Sequence, residues 1–374
     1  MVGRAYIVSR TMRFLLRTFA LLALFPYLGV VFLLMTGNAS WSSVGYVVAI
    51  GALLGGLVTL PDVENVKKKT RRPRGLSRGA VVVLALIAIA RAFVAGDGRS
   101  LRAGDGGTGD GTGGARLVNR LVDEGDVAVA GTRVLVASGM LHDDTRELPS
   151  AMSDAYVAMK REEGDAPSPF VGTYLGLERP SAFDLVVFEP PRVPEATARP
   201  RSAVIFLHGF AGNFDLPCWQ MAQAVASLDV VTACPSTQWV GDWWSAAGEA
   251  TVRRTIDVLH ARGVERIILA GLSNGGYGAA KLAPRLKGKL AGLVLISGAE
   301  SASPSAGIPT LVIHGRRDTM TSFDESKAYA TKVGAKLVAV DAGHFAMLVR
   351  GPEVDRAVRD FVAARVEARA DRTP

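Results

Sequence analysis

The chain has 374 residues, 49% of them hydrophobic, and a mean hydropathy of +0.23. This composition excludes a disordered protein, and the presence of only two cysteines excludes a disulfide framework or a thiolate-rich metal site. The formal charge of +8 is uneven, because residues 1–114 hold 14 Lys and Arg against 5 Asp and Glu. Residues 115–374 hold 29 and 30, so they have no excess positive charge with which to bind nucleic acid.

Three long apolar runs lie near the N-terminus, at residues 18–35, 44–60 and 79–95. A bilayer core needs about 20 helical residues, and the first two runs are sufficient. The third contains Arg91, whose long side chain can reach the membrane interface. Residues 1–95 are therefore predicted to form a membrane anchor of three helices in contact with lipid. A cleaved signal peptide is the alternative for the first run, but no A-x-A-like cleavage site follows it.

Basic residues predict the orientation of this anchor. Four arginines precede the first run, the next loop has no charge, and residues 61–78 carry seven Lys and Arg. Positively charged loops stay in the cytoplasm, so the N-terminus is expected inside and everything after the third run outside. The Ala-, Gly- and Arg-rich composition is typical of bacteria with GC-rich genomes, so the predicted location is the inner (cell) membrane with a periplasmic or extracytoplasmic domain. If the third run does not cross, that domain is cytoplasmic.

A glycine-rich stretch follows the anchor at residues 96–114 and is predicted to be a flexible linker. Residues 115–374 are then predicted to form one α/β domain with a recognisable core at residues 203–370. In that core, short β-branched runs alternate with amphipathic helices, which indicates a mainly parallel sheet flanked by helices on both faces. The predicted strands are Ala203–Leu207, Val230–Cys234, Arg266–Ala270, Leu293–Ser297, Thr310–Ile313 and Lys336–Val340.

The stretch before this core is less regular. Val127–Ala137 and Asp184–Phe188 have the appearance of strands, whereas Leu148–Glu163 has helical spacing. These segments are expected to supply the first, antiparallel strands and a flanking helix.

The main chemical motif is G-x-S-x-G at residues 271–275, between the strand RIILA and a predicted helix. In this context the turn is sharp and lifts the hydroxyl of Ser273 above the sheet edge. Asp318 follows the fifth strand and His344 follows the sixth, so all three side chains are expected at the carboxyl edge of the sheet. An idle serine, a helix-capping aspartate and a packing histidine are the alternatives for each residue alone. Their order, each after its own strand, favours a Ser–Asp–His triad.

The first core strand ends in the sequence HGFAGN. A turn at this place presents backbone N–H groups towards the serine, and we expect the N–H groups of Phe210 and Asn274 to form an oxyanion hole. His208 itself is expected to be structural.

The segments LHGFAGN, GLSNGG, HGRRD and AGHF, in this order, resemble the α/β-hydrolase superfamily over about the last half of the chain. The resemblance implies that Ser273 is the nucleophile, Asp318 the orienting acid and His344 the general base, with no cofactor or metal ion. It is strongest to small serine esterases acting on ester bonds of small-molecule or lipid-like substrates. Lipases, thioesterases and serine peptidases share these motifs, and some members have lost catalysis. A non-catalytic binding protein at the membrane is therefore the alternative of another class.

Aromatic residues and the two cysteines lie close to these motifs in the sequence. Phe214, Trp243 and Trp244 are candidates for a substrate pocket, although each could instead pack a loop onto the sheet. Cys218 and Cys234 are both expected near the active edge of the sheet. A disulfide between them is geometrically feasible, and two buried free thiols are the equal alternative.

Overall fold

The computed structural model describes residues 10–35, 39–59, 72–94, 101–104, 120–141, 144, 146–164, 184–190, 201–212, 214–237 and 240–366. The chain divides into two compact units, which are considered separately. The first comprises Met1–Val94 and Leu121–Arg133, and the second comprises Ala95–Arg120 and Val134–Pro374.

Helices and strands alternate through most of the second unit, whereas the first is helical. The helices are α1 (Arg10–Met35), α2 (Trp41–Val58), α3 (Arg72–Val94), α4 (Glu124–Ala137), α5 (Leu148–Glu163), α6 (Asp215–Val225), α7 (Ala246–Ala261), α8 (Asn274–Leu282), α9 (Phe323–Val333), α10 (Ala346–Val349) and α11 (Gly351–Val366). The strands are β1 (Leu101–Gly104), β2 (Asp184–Phe188), β3 (Ser202–Leu207), β4 (Val230–Pro235), β5 (Arg266–Leu272), β6 (Gly292–Ile296), β7 (Thr310–Gly315) and β8 (Lys336–Val340).

In the first unit, α2 packs against both α1 and α3. Tyr27 Oη of α1 donates to the carbonyl of Val47 at 3.1 Å. The start of α2 is next to the end of α3, and its end is next to the start of α3, because Gly45 lies against Ile87 and Gly56 against Ser77. The helices α2 and α3 are therefore antiparallel.

Two helices in the described part of the chain are long and apolar enough to cross a membrane, at Phe14–Met35 and Trp41–Val58. Only 6% of the first apolar window and 22% of the second are buried. A signal sequence near the N-terminus has the same properties as the first helix. The third predicted span coincides with α3, and its crossing stays a prediction.

The prediction of a strand at Val127–Ala137 is wrong, because these residues belong to α4. Alternating valines and alanines are typical of a strand, but the residues at the start of this segment favour a helix. Asp123 Oδ1 accepts from the N–H of Asp126 at 3.2 Å, and acidic residues occupy the first turn of the helix. The segment from 121 to 133 also groups with the N-terminal helices, although the sequence predicts that it belongs to the α/β domain of residues 115–374.

The second unit contains an eight-stranded sheet in the order β1-β2-β4-β3-β5-β6-β7-β8. Strand β2 is antiparallel to β1 and β4, and all other neighbouring pairs are parallel. The predicted fold class and all six core strands are confirmed. Strand β1 lies inside the predicted linker at residues 96–114, whose other residues are outside those described.

Apolar side chains fill both faces of this sheet. Strands β3, β6 and β7 are buried along their whole length, as expected for central parallel strands covered by helices. Because β3, β5, β6, β7 and β8 are parallel, their carboxyl ends share one edge. The loops that follow them carry the predicted functional residues.

Candidate active site

Ser273 occupies a strained turn between β5 and α8, with φ 55° and ψ −120°. This left-handed conformation is costly for a residue with a Cβ. The turn is possible because its neighbours are glycines: a Cβ on Gly271 would lie 2.1 Å from the carbonyl oxygen of Gly275, and one on Gly275 would lie 2.0 Å from that of Leu207. Hydrogen bonds hold the turn, since Ser273 N–H donates to the carbonyl of Ile296 at 2.9 Å. The predicted strand-to-helix turn is present.

Asp318 and His344 meet in the loops after β7 and β8. His344 Nδ1 lies 2.8 Å from Asp318 Oδ2, and both side chains are almost fully buried. The hydrogen bond assigns the proton of the neutral imidazole to Nδ1, which leaves Nε2 as a proton acceptor. The other carboxylate oxygen, Oδ1, accepts from the backbone N–H groups of Met320 and Thr321 at 2.8 and 2.9 Å. The acid–base pair of the predicted triad is thus assembled.

The charge of Asp318 is stabilised by its donors. Burial acts to raise the pKa of this carboxyl, but hydrogen bonds from His314, His344 and Thr321 outweigh it and hold the pKa well below its usual range. Asp318 is therefore ionised at neutral pH and can stabilise an imidazolium at His344. Neither His314 nor Thr321 is predicted as a site residue from the sequence, although His314 is the first residue of the HGRRD segment.

A chain of contacts relates Ser273 to this pair. A Cβ on Gly298, after β6, would lie 2.1 Å from the carbonyl oxygen of Ser273. The neighbouring carbonyl of Ser297 accepts from Thr321 Oγ1 at 2.9 Å, and the same hydroxyl is 2.7 Å from Asp318 Oδ2. Within the described part of the chain, no hydrogen bond joins Ser273 Oγ to His344. Such bonds are often long in unliganded enzymes and shorten when substrate binds.

The loop after β3 lies directly against the serine. A Cβ on Gly209 would be 3.0 Å from Ser273 Cβ and 3.6 Å from its Oγ. Gly241, at φ 70°, lies between this loop and the start of α8, because its Cβ would be 2.9 Å from the Gly209 oxygen and 3.5 Å from Asn274 Cβ. Phe210 and Asn274 therefore lie on two segments that approach the serine, and their oxyanion-hole role stays a prediction.

His208 stabilises the shape of this loop. Its Nδ1 is 2.8 Å from the Gly209 oxygen, and its Nε2 accepts from the N–H of Thr237 at 3.2 Å. Trp243 Nε1 donates to the carbonyl of His208 at 2.9 Å. Burial lowers the pKa of His208 to about 4, so the ring is neutral and the two hydrogen bonds define its tautomer. Its geometry fits the structural role expected from the sequence.

The three candidate pocket residues have different surroundings. Trp243 is fully buried, with its Cβ packed at Gly278, so it supports a loop and presents no surface to a substrate. Trp244 is partly exposed, with the ammonium group of Lys281 4.8 Å from its ring centroid. Phe214 lines a pocket next to the two cysteines. No group of three or more metal-binding side chains occurs among the described residues.

Cys218 and Cys234 form a disulfide, with their Cα atoms 6.1 Å apart. The bond connects the first turn of α6 to the end of β4. These elements flank the loop of His208, because α6 follows that loop and Thr237, just past β4, donates to His208. The sequence left a disulfide and two free thiols as equal alternatives, and the structure contains the disulfide.

No protein-family model matches the chain, and no curated protein matches it at a significant level. Similar solved structures include Est1E from Butyrivibrio proteoclasticus, at 15% identity and a TM-score of 0.41, with 50% of this chain and 95% of that chain covered. Another is the fluorophosphonate-binding serine hydrolase FphF from Staphylococcus aureus, at 15% identity and a TM-score of 0.41, with 48% and 92% covered. The S-formylglutathione hydrolase FrmB from the same organism has 16% identity and a TM-score of 0.41, with 49% and 93% covered.

Two features of this chain define its fold: the order of strands in its sheet, and the serine with positive φ at the turn between β5 and α8. On these grounds the second unit has the α/β-hydrolase fold that the sequence motifs predicted.

Proposed function

We propose that this chain is a membrane-anchored serine hydrolase that cleaves an ester-like bond through Ser273, Asp318 and His344. The observation that supports it most is the pairing of a buried, ionised Asp318 with His344 Nδ1 on the sheet edge that holds the strained Ser273. A hydroxyl becomes a nucleophile when a base accepts its proton and an acid orients that base. In this proposal Ser273 is the hydroxyl, His344 the base and Asp318 the acid.

The proposed reaction proceeds through an acyl-enzyme. His344 Nε2 accepts the hydroxyl proton as Ser273 Oγ attacks the carbonyl carbon, and the N–H groups of Phe210 and Asn274 stabilise the resulting oxyanion. The imidazolium then gives its proton to the leaving alkoxide, which departs as an alcohol. His344 next accepts a proton from water, whose oxygen attacks the acyl carbon. Ser273 leaves with that proton as the acid is released.

The membrane anchor is supported by the exposed apolar surface of α1 and α2. Phe14, Leu22 and Phe25 are 68%, 72% and 86% exposed, which is unfavourable in water but suits contact with lipid tails. We propose an inner-membrane location with the N-terminus in the cytoplasm.

Contacts after α3 support the third crossing. The Asp126 carboxylate accepts from Ser40 N–H at 3.0 Å and from its hydroxyl at 2.6 Å. Arg133 donates to the carbonyl of Leu33 at 2.9 Å. Leu33 lies in the last turn of α1 and Ser40 directly precedes α2, at the opposite end of α2 from the basic loop. Residues 126 and 133, which follow α3, thus lie at the end of the helices opposite the basic loop. An outward-facing hydrolase domain requires this arrangement.

Labelling with a fluorophosphonate tests the proposal, because such probes react with activated serines. We expect labelling of the wild type and of Ser305→Ala, an exposed control serine, but not of Ser273→Ala. A probe that cannot cross the inner membrane should label cells with a permeable outer envelope before lysis. Labelling only after lysis would place the domain in the cytoplasm. A wild type that never labels would contradict the enzymatic function and favour a non-catalytic binding protein.

Ester, thioester and peptide substrates distinguish the activities that share this site. We expect turnover of short-chain p-nitrophenyl esters, because the loop of residues 297–309 between β6 and β7 contains no helical lid. Faster turnover of long-chain esters, thioesters or peptides would redirect the assignment to a lipase, thioesterase or peptidase.

A further inference from the structure

Asp144 lies outside the recognisable core, just before α5, yet its side chain reaches the loop of His344. Its Oδ2 accepts from the backbone N–H of Gly343 at 2.7 Å, across 199 positions of sequence. Gly343 directly precedes His344. The carboxylate is only 4% exposed, so this hydrogen bond is protected from water.

The second oxygen of the same carboxylate contacts the loop of the acid. Asp144 Oδ1 lies 3.3 Å from Nη2 of Arg317, the residue directly before Asp318. Arg317 also joins the two loops through its backbone, because its N–H donates to the carbonyl of Ala342 at 3.0 Å. One carboxylate therefore binds the residue before the acid and the residue before the base.

Asp144 is itself held in place. Its carbonyl accepts from the N–H groups of Glu147 and Leu148 at 3.2 and 2.8 Å, which forms the turn that leads into α5. Leu148 is 1% exposed, and Glu147 forms an ion pair with Arg350 at 2.7 Å, just beyond α10. Helix α5 also packs against α10, which follows His344. The carboxylate thus projects from a packed helix start.

We propose that Asp144 is a positioning residue for catalysis, which holds the loops of Asp318 and His344 in register for proton transfer from Ser273. The inference rests on the proposed function. Asp144 acts through Gly343 and Arg317 and does not touch the reacting atoms. Its removal leaves the buried N–H of Gly343 without this acceptor and Arg317 without its buried partner. Both losses act on the backbone next to the acid and the base.

Three variants in the full-length protein test this role, with p-nitrophenyl butyrate turnover and fluorophosphonate labelling rate as readouts. A small displacement of catalytic groups can cost about 100-fold in rate, so Asp144→Ala should lower kcat by about that factor with little change in KM. Asp144→Asn retains an oxygen for the Gly343 N–H and should recover about 10-fold of this loss. Asp341→Asn is the matched control, because Asp341 faces the same Arg317 at 3.5 Å but is 72% exposed. It should match the wild type.

Active-site titration separates positioning from folding, because rates are then expressed per reactive serine. Wild-type rates per site in Asp144→Ala and Asp144→Asn would overturn the inference, as would equal losses in Asp341→Asn. If Asp144→Ala does not fold, Asp144→Asn with Arg317→Gln provides the test, and full activity of both would refute the role. Absence of labelling in the wild type would instead refute the proposed function.

Discussion

His314 Nε2 lies 3.1 Å from Asp318 Oδ2, the oxygen that also contacts the base of the proposed triad. His314 has no exposed side-chain surface, and its other ring nitrogen lies 2.7 Å from the Ser326 hydroxyl. The Ser326 hydroxyl also donates to the carbonyl of Ala299 at 3.1 Å. Nε2 of His314 lies within hydrogen-bond distance of Asp318, and this contact helps to lower the pKa of that carboxyl. Asp318 is therefore in contact with two histidines, His314 and His344.

Replacing His314 by Phe should weaken catalysis without removing any proposed reacting group. A hydrogen bond to a charged partner contributes about 1.5–3 kcal/mol, so we expect kcat to fall by about 10-fold or more. His314→Gln, whose amide can donate to Asp318, should lose less. Steady-state kinetics provide the measurement, with the exposed His260→Phe as control. Unchanged kcat in His314→Phe would mean that the contact is only structural.

The strained backbone of Ser273 predicts opposite effects on activity and stability. Ser273→Gly removes both the nucleophile and the Cβ that makes φ 55° unfavourable. Relief of such strain contributes on the order of 1–3 kcal/mol, so Ser273→Gly should be inactive and more stable than Ser273→Ala. Urea unfolding of the two variants, followed by tryptophan fluorescence, measures the difference. Equal stabilities would show that the turn stores little strain.

The buried His208 predicts a loss of stability in acid. Its pKa is about 4 in the folded protein, against an ordinary value of about 6.5 in the unfolded chain. Between these values the unfolded chain binds more protons, so the free energy of unfolding falls as the pH falls from 6.5 to 4. The loss is on the order of 3 kcal/mol.

Thermal midpoints measured across this pH range test the prediction in wild type and in His208→Gln. The variant should have a shallower acid slope, whatever its stability at neutral pH. Identical slopes would exclude His208 as the titrating group.

Reduction of the disulfide should destabilise the second unit. The bridge closes a short loop, because Cys218 and Cys234 have a sequence separation of 16, and a loop of this length corresponds to about 3 kcal/mol. We expect dithiothreitol to lower the thermal midpoint of the wild type. Cys218→Ser/Cys234→Ser should begin at the lower midpoint and show no response. A wild type insensitive to full reduction, verified by thiol alkylation and mass spectrometry, would contradict this contribution.

Local patterns in the sequence were sufficient for the sheet core and for the turn at Ser273. β-branched runs favour strands, and the glycines at 271 and 275 are needed wherever a chain turns this sharply. Such signals depend on neighbours in the chain. The strand predicted at Val127–Ala137 is a helix instead, because its alternating apolar residues suit either structure and the side chain of Asp123 caps the start of the helix.

Tertiary structure alone decided the surroundings of the site. The burial of Trp243, the contact of His314 with Asp318 and the reach of Asp144 to Gly343 join residues that no short pattern relates. The sequence by itself determined which residues could react and the strand that each follows. Packing decided which side chains hold them, because a hydrogen bond across 199 positions exists only after the chain has folded.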